Sequence, residues 1–203
     1  WCKNWKIQIN ASKSTAIIFS LRRYSTPPPL KFDNVPIPWE PTAKYLGVTL
    51  DKRLTWGPHL STKLKLAYQR LSMLFPIINK KSIIQKKCSI LIYKQLLLPL
   101  ITYACPVWGN CSATHLKKIQ IFQNKVLRII TNAPWFIRNE NIHKDLQIVK
   151  IEDLIRTLSK KFHSSLLNST GSLHYNLHIH PPFQRRLKRG RPHDLIIQNQ
   201  PPV

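Results

Sequence analysis

The first fifty residues carry short apolar runs separated by turn and proline signals. "IQIN" alternates apolar and polar positions and "STAIIFS" is rich in β-formers, so both predict strands. "RRYSTPPP" predicts a loop, because three consecutive prolines cannot join a ladder. "LKFDNVPIPW" predicts an edge strand, since Pro36 and Pro38 each remove a donor, and "KYLGVTL" predicts the clearest strand. Residues 7–50 are therefore expected to form a small antiparallel sheet with tight connections.

After Asp51 the apolar period changes from two residues to about 3.6, which indicates helices. The first predicted helix opens near Pro58, and its apolar stripe consists of Leu60, Leu64, Ala67, Leu71, Phe75 and Ile78. A second predicted helix, over residues 82–98, is apolar nearly all round and should be central. Pro99 and Pro106 should break or kink the chain after it. A third spans residues 113–131, and mixed-charge residues from Asn139 predict one or two amphipathic helices. The expected fold class is α+β.

The charge of the chain is strongly positive and unevenly distributed. Lys and Arg number 32 against 8 Asp and Glu, which gives a formal net charge of +24. From Lys52 to Arg138 there are 15 basic residues and no acid. The mutual repulsion of so many positive charges opposes a compact fold unless a polyanion neutralises them. Nucleic acid is the first candidate partner and an anionic membrane surface the second.

Basic residues on the predicted helices form candidate nucleic-acid contacts. On the third helix four of them share an arc of roughly 100°, opposite an apolar line through Leu116, Ile119, Val126 and Ile130. They are Lys117, Lys118, Lys125 and Arg128. None has a glutamate partner at i,i+4, which favours a phosphate-facing surface over a solvated face. On the first helix Lys63 and Arg70 flank the stripe, and Lys65 lies on the far side.

The end of the chain is rich in Pro, His and Arg and predicts a mostly extended tail. The motif "RRLKRGR" predicts either nucleic-acid binding or a nuclear signal. Its basic residues are Arg185, Arg186, Lys188, Arg189 and Arg191.

Patterns typical of a reaction centre are missing from the sequence. Cys105, Cys111 and His115 are interpreted as packing residues, because a structural zinc site or a Cys–His nucleophile would lack further partners. The acids before residue 140 do not cluster as two-metal chemistry requires. Asp33 and Asn34 together predict a turn. Glu40 lies between prolines. Asp51 should end a strand, paired with Lys52 or Arg53.

Four segments, in order, resemble the end of the reverse transcriptase of non-LTR retrotransposons, nearest to the jockey-like group of insect elements. They are "NWKIQINASKSTAIIFS", "KYLGVTLDKRLTWGPHL", "LLLPLITYACPVWG" and "NKVLRIITNAPWFIRNENIHKDLQI". The resemblance covers residues 1 to about 194. It implies the end of the polymerase palm with its primer-grip hairpin (1–56), a helical thumb and connection (57–135), C-terminal helices (136–170) and a basic tail (171–203).

The resemblance also implies roles for particular residues. In "INASKS", Lys13 would approach the incoming nucleotide and donate a proton to the pyrophosphate leaving group. It would have this role only in the intact polymerase. Tyr45, Leu46 and Gly47 would form the primer grip. The catalytic aspartates of the family precede these four segments, so this chain should be inactive alone. It should need no cofactor itself, while Mg²⁺ is implied for the intact polymerase.

The implied function is that of a fragment of an RNA-directed DNA polymerase that positions the primer end and grips the template–primer duplex. Its partners would be the RNA template, the DNA primer and the palm and fingers of the same polypeptide. We expect an intracellular protein acting in the nucleus, with the cytoplasm as an alternative. A non-catalytic nucleic-acid-binding module from a decayed or host-adopted element is the main rival. A membrane-surface protein is disfavoured, because the basic residues spread over several helices.

Overall fold

The computed structural model describes residues 4–22 and 25–167 of the chain. Short antiparallel hairpins precede a series of helices, so the predicted α+β class is confirmed. The chain forms two compact units that divide between His59 and Leu60. The domain boundaries drawn from the sequence remain predictions. The predicted tail and its "RRLKRGR" motif lie outside the described residues.

The first unit contains two antiparallel hairpins. Their strands are β1 (Leu30–Phe32), β2 (Val35–Ile37), β3 (Thr42–Tyr45) and β4 (Val48–Asp51). Asp33 and Asn34 join β1 to β2 with φ of 48° and 63°, which confirms the predicted turn. The single strand predicted for "KYLGVTL" is wrong, because the chain reverses at Leu46 and Gly47 and Tyr45 pairs with Val48. The segment is therefore a β-hairpin, and its role as a primer grip stays a prediction.

The strands predicted for "IQIN" and "STAIIFS" are also wrong. The second segment makes one isolated parallel bridge, between Ala16 and Trp39. Ala16 N donates to the Pro38 carbonyl at 3.0 Å, and Glu40 N donates to the Ala16 carbonyl at 2.8 Å. Pro38 and Pro41 flank this bridge and have no N–H to extend the ladder. The prolines therefore limit the pairing of the second segment to this one bridge.

Helices dominate the second unit. They are α1 (Gly57–Ile78), α2 (Lys86–Ile92), α3 (Leu98–Thr102), α4 (Cys105–Trp108), α5 (Ala113–Thr131), α6 (Asn139–Leu146) and α7 (Ile151–Leu167). The bounds predicted for the third helix match α5, and the one or two later helices that were predicted are two, α6 and α7. Neither these helices nor any other in the described ranges is long and apolar enough to cross a membrane.

The helix predicted over residues 82–98 is shifted and interrupted. It starts at Lys86, passes through a π-helical segment at Tyr93–Leu97 and continues as α3 to Thr102. Pro99 removes one i→i−4 hydrogen bond and its ring crowds the preceding turn. A π-helical turn, which is wider than an α-helical one, lies just before the proline. The hydrogen-bond pattern changes there, and the helix continues past Pro99.

α5, and not the helix around α2, is the centre of the second unit. α5 packs against α2, α6 and α7, and its buried side chains include Phe122, Val126 and Leu127. On the segment from α2 to α3 burial recurs only every fourth residue, at Ser89, Tyr93, Leu97 and Ile101. Leu91 and Leu96 are exposed. The prediction of a central helix buried nearly all round was therefore wrong.

Candidate nucleic-acid interface

A buried carboxylate fixes the corner between β4 and α1. Asp51 Oδ2 accepts from Thr55 N and Oδ1 accepts from Trp56 N, both at 2.9 Å. The predicted partners Lys52 and Arg53 are replaced by these backbone donors, because the turn before α1 folds its N–H groups onto the end of β4. His59 Nδ1 accepts from Thr49 N at 3.2 Å, which ties the same hairpin to the first turn of α1. Asp51 is thus a structural residue.

The tip of the β3–β4 hairpin presents the residues predicted to be the primer grip. Tyr45 is 67% exposed and Leu46 is 73% exposed. Leu46 has φ of 45° and Gly47 has φ of 76°, so both turn residues are left-handed. For a leucine this conformation costs on the order of 1–3 kcal/mol, and such strain is often kept where function needs it. Primer contact by this tip stays a prediction.

Lys13 ends a short 3₁₀ turn, Ala11–Lys13. Asn10 Oδ1 caps this turn, accepting from Lys13 N at 3.2 Å and from Ser12 Oγ at 2.6 Å. The Lys13 side chain is exposed. The turn therefore fixes the backbone under an accessible ammonium, and the proton-donor role remains a prediction.

The described side chains do not fit a magnesium centre. Within residues 4–22 and 25–167, no three of the His, Cys, Asp and Glu side chains come together as a metal site needs. Burial raises the pKa of the Cys105 and Cys111 thiols to about 11. These thiols are therefore protonated at neutral pH and are poor nucleophiles and ligands.

A basic cavity of about 800 Å³ lies between the end of α1 and the second half of α5. Its cationic lining consists of Lys80, Lys81, Lys125 and Arg128. Four asparagines and an apolar group complete the lining, namely Asn79, Asn124, Asn132, Asn139, Phe75, Ile121, Ile129 and Ala133. None of these lining residues is acidic. A concave, cation-rich surface of this kind suits a phosphate-bearing ligand.

The structure brings together only some of the predicted basic residues. Lys125 and Arg128 line the cavity, where Lys80 and Lys81 join them from the turn that follows α1. The remaining predicted positions on α1 and α5 lie outside this lining; they are Lys63, Lys65, Arg70, Lys117 and Lys118. The sequence reasoning missed Lys80 and Lys81, although the acid-free stretch included them. Phosphate binding by any of these residues remains a prediction.

Aromatic rings position two of the lysines. Lys125 Nζ lies 5.2 Å from the centroid of the Tyr68 ring. Tyr68 in turn packs edge-on against Phe122, with centroids 4.9 Å apart. Lys63 Nζ lies 4.7 Å from the Tyr103 ring centroid. Because a cation over an aromatic face gains about 0.5–1 kcal/mol at exposed sites, these contacts favour defined lysine positions.

Arg128 uses its guanidinium to order the loop between α5 and α6. Nε donates to Asn139 Oδ1 at 2.9 Å, one terminal nitrogen donates to the Pro134 carbonyl at 3.0 Å, and the other donates to the Ile137 carbonyl. These three acceptors occupy N–H groups of Arg128 that were predicted from the sequence to bind phosphate. Arg128 still contributes its positive charge to the cavity.

A buried polar network connects α5 to its neighbours. Gln123 Nε2 donates to Tyr93 Oη and to the Val149 carbonyl, both at 3.0 Å. Gln120 Nε2 donates to Gln123 Oε1 at 2.8 Å, while Gln120 Oε1 accepts from Ile151 N at 2.9 Å. Burial raises the pKa of Tyr93 to about 12. These contacts fix the position of α5, which supplies Lys125 and Arg128 to the basic cavity.

Curated proteins similar to this chain are polymerases of mobile elements. The chain is 38% identical over 199 residues to the probable RNA-directed DNA polymerase from transposon X-element of Drosophila melanogaster, covering 98% of the chain and 22% of that protein. It is 33% identical over 191 residues to the probable RNA-directed DNA polymerase from transposon BS of the same species, covering 94% and 21%. It is 35% identical over 207 residues to the RNA-directed DNA polymerase from mobile element jockey, also of that species, covering 96% and 22%.

The chain spans about a fifth of the length of these relatives. No protein-family profile matches the chain. No solved structure matches it either.

Proposed function

Because this chain is homologous to a region of the RNA-directed DNA polymerases of jockey-like non-LTR retrotransposons, we propose that it is the part of such a polymerase that holds the template–primer duplex. The basic cavity between α1 and α5 carries this proposal. Its lysines would bind the phosphates of an RNA–DNA duplex, without reading the bases.

Two further elements would act at the primer end. The β3–β4 hairpin would place Tyr45 and Leu46 against the 3′ terminus of the primer, and the Asp51 corner would hold that hairpin in position. Lys13 would stand near the incoming nucleotide. The carboxylates and Mg²⁺ that nucleotide addition requires would come from the rest of the polypeptide.

The lysines of the cavity can be tested against matched lysines elsewhere. We expect Lys80→Gln, Lys81→Gln and Lys125→Gln together to weaken binding to an RNA–DNA duplex and to lower the steepness of its salt dependence by about three, roughly one unit per phosphate contact. The measurement is fluorescence anisotropy of a labelled duplex, titrated with the protein at several salt concentrations.

The control variant is Lys144→Gln, Lys150→Gln and Lys161→Gln. It removes the same charge from exposed positions on and between the mixed-charge helices α6 and α7. This variant should bind the duplex slightly more weakly, because the net positive charge is lower. The slope of its salt dependence should change little. Equal losses in the two triple variants would show that net charge alone binds the duplex and that the cavity is not the site.

A further inference from the structure

Two large aromatic side chains protrude from the loop between α5 and α6. Trp135 is 89% exposed and Phe136 is 65% exposed. Their rings stack edge to face on each other, with centroids 6.0 Å apart and planes at 83°. Isolated exposed apolar residues are common, but two adjacent large aromatics displayed at one tip point to a binding surface.

The backbone under this aromatic pair is held in place from both sides. Ile137 N donates to the Pro134 carbonyl at 3.1 Å, so Trp135 and Phe136 occupy the centre of a hydrogen-bonded turn. The Arg128 guanidinium donates to the carbonyls of Pro134 and Ile137, the two residues that flank the pair. A preorganised loop loses less entropy when a ligand binds to it.

The surroundings of the pair favour an anionic ligand. The same loop supplies Asn132 and Ala133 to the lining of the basic cavity, beside Lys125. Arg138, the next basic residue along the chain, is exposed. The nearest acid in the sequence, Glu140, forms an ion pair with Lys150 at 3.2 Å. A ligand that fits here combines flat apolar surfaces with negative charge, which is the chemistry of unpaired nucleotides.

We propose that Trp135 and Phe136 form a stacking platform for unpaired bases of a single-stranded nucleic acid, whose phosphates lie toward the basic cavity. The proposal rests on the proposed function, since the same cavity would supply the phosphate contacts. A duplex keeps its bases stacked on each other and offers the platform little, whereas a single strand can splay its bases onto the rings. Stacking of this kind tolerates any sequence, because every base has a π-face.

The test compares a labelled oligouridylate RNA with a blunt-ended RNA–DNA duplex in the same anisotropy assay. We expect Trp135→Ala with Phe136→Ala to weaken oligouridylate binding about tenfold or more and to leave duplex binding nearly unchanged. Trp135→Phe should retain most of the affinity for the single strand, because a phenyl ring still stacks. The control is Trp5→Ala, which removes an exposed tryptophan from the first unit and should affect neither probe.

Several outcomes separate this inference from the proposed function. Unchanged oligouridylate affinity in the double alanine variant overturns the stacking platform, as does an equal loss for both probes. A different result would overturn only the proposal that the cavity lysines hold the duplex. In that result, duplex binding is insensitive to the cavity lysines, while removal of the rings selectively weakens single-strand binding. A wild-type chain that binds neither probe overturns both. Far-UV circular dichroism of each variant verifies that the fold is intact.

Discussion

Trp108→Ala should lower the free energy of unfolding of the helical unit by about 3–5 kcal/mol, the usual range for removing a fully buried aromatic side chain. Trp108 is 1% exposed, and its Nε1 donates to the Tyr103 carbonyl at 2.7 Å. Truncation would leave a cavity under α4, which packs on α7, and would remove that hydrogen bond. Such a loss is a large fraction of the roughly 5–15 kcal/mol that stabilises a typical domain. Urea denaturation followed by far-UV circular dichroism measures it.

Trp135→Ala is the matched control for this substitution. It removes the same side chain from a position where the ring is almost fully exposed, so the unfolding free energy should change by no more than about 0.5 kcal/mol. Two similar losses of stability would contradict the placement of Trp108 in the core and of Trp135 on the surface.

Gln123→Leu should destabilise the same unit by about 2–4 kcal/mol, since each buried polar group left without a partner costs about 1–3 kcal/mol. Gln123 is fully buried and hydrogen-bonds to Tyr93 Oη, the Val149 carbonyl and Gln120. A leucine of similar volume fills the space and leaves the Tyr93 hydroxyl and the Val149 carbonyl without this partner, while Gln120 Nε2 still donates to Asn124 Oδ1. Thermal unfolding monitored by circular dichroism reports the loss, with the exposed Gln95→Leu as the control.

A double-mutant cycle identifies the hydrogen bond to Tyr93 as part of that loss. Tyr93→Phe removes the hydroxyl that Gln123→Leu would leave unpaired. The double variant should therefore be less destabilised than the sum of the two single variants. Strict additivity would mean that the Gln123–Tyr93 contact contributes nothing to stability and would contradict the buried polar network.

The helical part of the fold could be predicted well where local signals agreed with tertiary packing. α5 has an uninterrupted apolar period of about 3.6 residues. It ends at Thr131, before Asn132, a residue type that tolerates the left-handed conformation it adopts there, with φ of 52°. α2 was less predictable. Its length depends on how a π-helical turn accommodates Pro99, and sequence periodicity does not indicate that response.

The hairpins of the first unit were harder to predict, because a residue in an unfavourable conformation concealed one turn. "KYLGVTL" reads as a continuous strand, since Leu46 is an apolar residue at a turn position that usually selects Asn, Asp or Gly. Only Gly47 signalled the reversal. The Asp33–Asn34 turn was recognised because both residue types favour left-handed conformations.

The candidate site was predicted in part. The absence of acids between Lys52 and Arg138 indicated a polyanion-binding region, and the arc on α5 indicated Lys125. Helical geometry alone did not reveal that the turn that follows α1 brings Lys80 and Lys81 to the same cavity. Nor did it reveal that the loop after α5 returns and occupies the Arg128 guanidinium. The first fact depends on segments far apart in the sequence, and the second on a loop that folds back onto the end of α5.

The most direct test of the duplex grip is the salt dependence of wild-type binding to RNA–DNA duplexes of two unrelated sequences. A grip on phosphates predicts equal affinities for the two sequences, and a straight line of log affinity against log salt concentration with a slope of about −3 or steeper, as three or more phosphate contacts require. An affinity that hardly changes with salt, or a strong preference for one sequence, would contradict it.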